Sequence, residues 1–192
     1  MKILIINDMI QINNELRDRA YQCACEHGFH DKEYSDAHWM MLIVTEISEA
    51  VNADRKGKHA DILKFKREFS VNKYFTSEPI RFKNAFEKCI KDSVEDELAD
   101  VVIRCLDFSG LKNIDIDLGE DECKDNGSSF ADKMYWACWA LYCDDFSLSE
   151  KIEEILFNIL QVTSCYNIDL LWHIEQKMRY NELRPMLNGK KY

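Results

Sequence analysis

Glycine and proline are scarce in this chain, six of one and two of the other in 192 residues. A many-stranded sheet needs more turn residues than that, so the scarcity argues against a sandwich or barrel and for helices. Long hydrophobic runs are missing as well. No stretch approaches the ~20 apolar residues of a membrane span. Met1-Lys2-Ile3-Leu4-Ile5-Ile6 meets Asn7 and Asp8 too early for a secretory signal. Positive charge is also in deficit. Lysine and arginine number 25 against 35 acids, a net charge of −10. That balance argues against sequence-independent binding to a nucleic-acid polymer or an anionic membrane. A nucleotide substrate stays open, because a bound metal ion can carry the positive charge locally.

What is present is globular composition, 46% hydrophobic and 11% aromatic. The length suits a single all-α domain spanning 1–192, with its core at about 8–110, an acidic loop at about 111–129 and completing helices at about 130–185. Of the 8 cysteines, Cys89, Cys105, Cys138 and Cys165 sit in apolar helical stripes. Buried, reduced thiols in a cytoplasmic protein are therefore expected. Cys23-Ala24-Cys25 and His27-Gly28-Phe29-His30 have no second half at structural-zinc spacing.

Two short acidic pairs stand out, Glu46-Ile47-Ser48-Glu49 and Glu97-Leu98-Ala99-Asp100. Each step of three places both carboxylates on one side of a helix, where like charges repel by roughly 0.2–0.5 kcal/mol. Helix stability therefore does not account for them. Glu46 falls inside the apolar arc formed by Trp39, Ile43, Ile47 and Ala50, and Glu49 lies at its edge. A buried acid costs several kcal/mol unless a cation or donors meet it. An internal salt bridge or a cavity-edge glutamate would also satisfy the first pair. The second pair lies beside the stripe of Leu98, Val101, Val102 and Cys105, in line with Arg104 and Asp107, and alone reads as a solvated strip. Packed together, the two pairs would form a cage of hard oxygen ligands suited to magnesium or manganese.

Along the chain, helical periodicity covers 8–26, with Gly28 as its stop. Ser35 or Asp36 caps the first acidic helix, which runs to about Lys56 and ends at Gly57. Residues 58–92 are basic and amphipathic, one or two helices broken or begun at Pro79, and Phe65, Phe69, Phe82 and Phe86 read as core. Ser93 opens the second acidic helix, expected to close at Gly110. After the acidic loop, 130–143 is helical. Ser147-Leu148-Ser149-Glu150 has the form of a capping box for a helix to about Tyr166. Its own pair, Glu150 and Glu153, reads as first-turn acids that favour the helix dipole. Asp169 opens the last helix, which Pro185 stops. His173, Lys177, Asn181 and Arg184 share one face of it, either a solvated face or a phosphate clamp.

Taken together, these blocks resemble the all-α nucleoside triphosphate pyrophosphohydrolases, the MazG-like group. The resemblance rests on Thr45-Glu46-Ile47-Ser48-Glu49-Ala50, Ala53-Asp54-Arg55-Lys56-Gly57-Lys58, Glu95-Asp96-Glu97-Leu98-Ala99-Asp100-Val101 and Lys177-Met178-Arg179-Tyr180-Asn181. It covers roughly 38–107 and 170–192. The gap between the acidic pairs is long for the group, and the acidic loop has no counterpart in it. The resemblance implies a helical bundle that hydrolyses a nucleoside triphosphate, NTP or dNTP, to the monophosphate and pyrophosphate. It implies magnesium, with manganese as the alternative, held by Glu46, Glu49, Glu97 and Asp100, one of which activates water. Lys177 and Arg184 would add charge at the phosphates, Asn181 would bond phosphate or sugar, and His38 and Trp39 would face the base. A homodimer or higher homo-oligomer is also implied.

Two rivals remain. A di-iron or di-manganese carboxylate bundle needs Glu-x-x-His on two helices, and no glutamate here has a histidine three residues later. A non-catalytic helical interaction protein that keeps the scaffold is the other.

Overall fold

The computed structural model describes residues 12–71, 73–118 and 127–189, without the side chain of Asn188. The expected helix start at 8–11, residues 119–126 of the acidic loop and the end of the basic tail lie outside those residues. Among the described residues there are eight α-helices and no strand. They are α1 (Asn14–Glu26), α2 (Asp36–Arg55), α3 (Ile62–Ser70), α4 (Glu78–Cys89), α5 (Val94–Lys112), α6 (Phe130–Tyr142), α7 (Leu148–Cys165) and α8 (Leu170–Glu182). A 3-10 turn, Met186–Gly189, follows. No helix among these residues is long and apolar enough to cross a membrane.

The expected caps are in place. Ser35 Oγ accepts from the His38 amide at the start of α2, and Ser93 Oγ from the Asp96 amide at the start of α5. Ser147 with Glu150 forms the expected reciprocal capping box on α7, and a second, unexpected box, Ser129 with Asp132, opens α6. Pro79 lies in the first turn of α4, where its missing N–H costs nothing.

Helix α5 is central, packing against α1, α2, α7 and α8. Leu98, Ala99, Val101, Val102, Cys105 and Leu106 are all fully buried, in a core that also takes Ile43, Ile47, Ile155 and Ile174. A second, aromatic core forms where the α3–α4 hairpin meets α8. Phe65, Phe82 and Phe86 pack there against Tyr180, with the Phe86 and Tyr180 rings stacked at 4.5 Å. Phe65, Phe82 and Phe86 are thus core, with Phe69 partly buried against them, as their spacing predicted, while Tyr74 and Phe75 at the hairpin's tip are exposed.

Two boundaries are corrected. The first helix does not include 12 and 13: Asn13 is extended and caps α1, its side chain accepting from the Glu15 and Leu16 amides, so the helix begins at Asn14. Gly110 does not close α5, which runs on to Lys112 and ends at Asn113 in the left-handed conformation (φ 53). Gly110 marks a close approach instead: a Cβ there would lie 2.5 Å from the Tyr21 Cβ on α1. Two helices touch at that point because the position has no side chain.

Helix propensity alone would make Gly110→Ala stabilising by about 1 kcal/mol. The contact with Tyr21 reverses the sign, and overpacking of this kind costs about 1–3 kcal/mol. Urea denaturation of Gly110→Ala should therefore show a lower midpoint than the parent. A higher midpoint would mean that α1 and α5 are not in this close contact.

Candidate metal centre

Helices α2 and α5 pack along their lengths and bring the two acidic pairs together. Glu46, Glu49 and Glu97 each offer a carboxylate oxygen within 4.8 Å of the other two. Asp92, Asp96 and Glu97 form an overlapping group at the same separation. Glu46 and Glu97 are buried while Glu49 is exposed, so the cluster has two inner ligands and one at the surface. The fourth expected ligand, Asp100, lies one turn along α5 and is drawn to Lys177 at 2.6 Å.

The local sequence explains how so many acids are tolerated. Glu95, Asp96 and Glu97 occupy the first turn of α5, where the helix dipole favours negative charge. Glu95 is anchored separately, accepting from the Ala60 amide at 2.9 Å and lying 3.0 Å from His59 Nδ1. Glu46 accepts from Arg104 Nε at 3.1 Å. The internal salt bridge weighed for Glu46 is therefore present, and it coexists with the cluster. Burial first, and then the neighbouring Asp100, pushes the Glu97 carboxyl up to about 9, with Lys177 opposing the shift. A carboxyl held so far above its usual range is poorly matched with a cation. This set of hard oxygen donors could hold a metal ion.

The polar face of α8 turns inward. His173 and Lys177 are buried, and burial pushes the His173 imidazole down to about 4, so it stays neutral. Lys177 donates to Asp96 at 2.8 Å as well as to Asp100. Burial works against its charge, but those two carboxylates hold the ammonium above the usual lysine range. Its charge lies inside the acidic cluster, not on an open phosphate clamp.

A narrow cleft opens beside the cluster, with Glu46, Asp100, Arg104, Asp107, Asn181 and Arg184 among its lining residues. Asn181 Oδ1 is buried with no hydrogen-bond partner. His38 and Trp39 are not among the lining residues. Trp39 is core, between His30 at 4.9 Å and Phe108 at 6.4 Å, and His38 stacks on Tyr34 at 4.1 Å. Phe29, Arg104 and Asp107 were missed as site residues. Arg104 lies over the Phe29 ring at 5.4 Å, and His30 Nε2 is 2.7 Å from Asp107. The signal was the alignment of Arg104 and Asp107 with Glu97 and Asp100, which reads as a solvated strip until Asp107 is seen to be buried.

The raised Glu97 pKa sets a pH dependence. A carboxyl whose folded pKa exceeds its unfolded value of 4.5 stabilises the fold fully below that value. The contribution is lost as pH rises towards about 9. Metal-free protein should therefore lose stability from this group across that window. An ion must displace the proton, so its affinity should rise with pH over the same range. Calorimetric titration of manganese between about pH 6.5 and 8.5 should show uptake tightening, with about one proton released per ion. Glu97→Gln should abolish the proton release. Release unchanged in that variant would move the titrating group elsewhere.

Comparison with family models, with curated proteins and with solved structures returns no match.

Proposed function

We propose that this protein is a metal-dependent nucleoside triphosphate pyrophosphohydrolase of the MazG-like all-α type. It would convert an NTP or dNTP and water to the monophosphate and pyrophosphate. The observation that carries the reading is the convergence of Glu46, Glu49 and Glu97, from two separate three-residue steps, beside a cleft lined by Arg104 and Arg184. An acidic cluster alone would serve many structural purposes. Set against a cleft with guanidinium groups and an unpartnered buried amide oxygen, it suits a polyanion carried on a polar organic body.

In this reading Glu46, Glu49, Glu97 and Asp100 hold magnesium or manganese. When bound, the ion offsets phosphate charge and acidifies water. The chain's own groups do the rest. Glu49, exposed at the edge of the cluster, is placed to take a proton from water as its oxygen bonds to phosphorus. The phosphoanhydride P–O bond then breaks and the pyrophosphate leaves with the bond electrons. Arg184, on the cleft wall, counters the spreading negative charge. Asn181 accepts from a donor on the nucleotide, where its oxygen otherwise has no partner. Lys177 is a positioning residue, fixing Asp100 and holding the acids of α5 together. A homodimer or higher homo-oligomer belongs to the same reading.

The test is a panel of canonical and modified NTPs and dNTPs, run with magnesium, manganese or EDTA, with pyrophosphate resolved from phosphate. Metal-dependent pyrophosphate release is expected. Glu49→Gln, Glu46→Ala and Asp100→Ala should each lower it by at least about a hundredfold while the helical circular-dichroism signal persists. Glu49→Gln is the cleanest of the three, because its carboxylate is exposed. Full activity in all three variants would remove these acids from the reaction. Silence across the panel, with metal binding intact, would favour the non-catalytic interaction protein.

A further inference from the structure

The α3–α4 hairpin carries charge and apolar surface that the proposed reaction does not use. Residues 62–89 hold seven lysines and arginines against three acids, in a chain of net charge −10. All three acids are engaged within the protein. Glu68 pairs with Lys88 at 2.9 Å, Glu78 pairs with Arg179, and Glu87 accepts from the Tyr180 hydroxyl at 2.9 Å. Lys66, Arg67 and Lys73 are exposed and form no ion pair among the described residues. Folding therefore turns the hairpin's negative charge inward and leaves its positive charge outside.

The same element exposes apolar side chains. Leu63, Val71, Tyr74, Phe75 and Ile80 are five of the twelve large apolar side chains exposed among the described residues. Tyr74 and Phe75, each 91% exposed, protrude from the turn between the two helices. Leu63 lies on the same face of α3 as Lys66, Arg67 and Ser70, at helical steps of three and four. The backbone of the turn is satisfied from within. Arg81 donates to the carbonyls of Phe69 at 3.1 Å, Lys73 at 3.4 Å and Thr76 at 2.6 Å, so these groups do not depend on water for a donor.

We propose that the α3–α4 tip docks on a membrane surface rich in anionic lipid. Tyr74 and Phe75, with Val71 and Ile80 beside them, enter the boundary between headgroups and acyl chains, where apolar and aromatic side chains partition. Lys66, Arg67 and Lys73 stay at headgroup level, each strengthening the contact with anionic lipid about fivefold. Carbonyls without donors would oppose entry, and the Arg81 guanidinium removes that obstacle. Single-stranded nucleic acid is the poorer match. Base stacking uses aromatic faces along a groove, whereas this surface protrudes and includes Leu63, Val71 and Ile80, which have no aromatic face. The net charge of −10 argues against contact through the whole surface, so docking is oriented, tip first. At physiological salt, charge acts over about 8 Å, and the charges nearest the lipid govern the contact. This inference does not rest on the hydrolysis reading, because lipid binding is measured without nucleotide.

The test is flotation of the full chain with vesicles of mixed phosphatidylserine and phosphatidylcholine, against vesicles of phosphatidylcholine alone. EDTA is present throughout, so that no divalent ion bridges the lipid to the acidic cluster. The chain should float with the phosphatidylserine vesicles only, and should be released as salt is raised. Tyr74→Ser with Phe75→Ser should weaken binding roughly tenfold or more. Lys66→Ala with Lys73→Ala should weaken it to a similar degree, about fivefold for each cation. Circular dichroism should not change in either variant, because all four side chains are exposed. Tyr135→Ser with Tyr142→Ser, which removes exposed aromatics of α6 instead, should bind as the parent does. A parent that does not float, tip variants that float like the parent, or equal binding to both vesicles would each overturn the inference. So would a parent that ignores vesicles and binds a single-stranded oligonucleotide through Tyr74 and Phe75, because the surface would then belong to nucleic acid.

Discussion

The buried ammonium of Lys177 between Asp96 and Asp100 is the interaction on which the rest of the site depends. Three successive acids begin α5, and Asp100 follows one turn later. Left alone, carboxylates so buried would cost several kcal/mol each. The dipole of α5 offsets part of that cost, and Lys177 offsets more, with salt bridges at 2.8 and 2.6 Å. Arg104 does the same for Glu46 from within α5. Compensation falls furthest short at Glu97, whose carboxyl rises to about 9, while burial also lifts Asp96, to about 6, against the opposing charge of Lys177. The arrangement thus concentrates an electrostatic deficit at one point, against Glu46 and Glu49, where a divalent ion would remove it.

Lys177 is held in place by the α3–α4 hairpin as well as by its salt bridges. Its Nζ lies 5.8 Å from the centre of the Phe86 ring, which in turn stacks on Tyr180, one turn along α8. At the other end, Glu95 accepts the Ala60 amide and ties the hairpin's entry to the first turn of α5. The long interval between the acidic pairs is therefore not a detached insertion. It builds a second aromatic core that covers the start of α5 and limits the movement of α8.

The sequence read well where a residue's environment is set by its own helix. Glu46 fell inside an apolar arc and is buried; Glu49 fell at the edge and is exposed. Caps at Ser35, Ser93 and Ser147 depend on bonds within four residues, and all are formed. The harder cases depend on a neighbouring helix. Gly110 looks like a terminator on its own helix and acts as a spacer only because Tyr21 arrives from α1. The strip of Glu97, Arg104 and Asp107 reads as solvated on α5 alone. It becomes buried when α2, α8 and the segment carrying Phe29 and His30 cover it. Trp39 reads equally as a base platform or as core, and the stack with His30 and Phe108 makes it core.

A net charge is likewise an average over surfaces that behave differently. The excess of acid over the whole chain argues correctly against a uniformly basic footprint, yet it conceals a hairpin with the opposite balance. Charge is thus separated by segment, with aromatic side chains exposed in both the basic and the acidic parts. The hairpin then has two sides with different duties: Phe86 faces inward towards Lys177, and Tyr74 and Phe75 face solvent. Changes at Phe86 disturb the electrostatic support of the acidic cluster and the hairpin together. Changes at Tyr74 and Phe75 disturb only what the tip touches, so the two duties separate by residue even though one supersecondary element carries both.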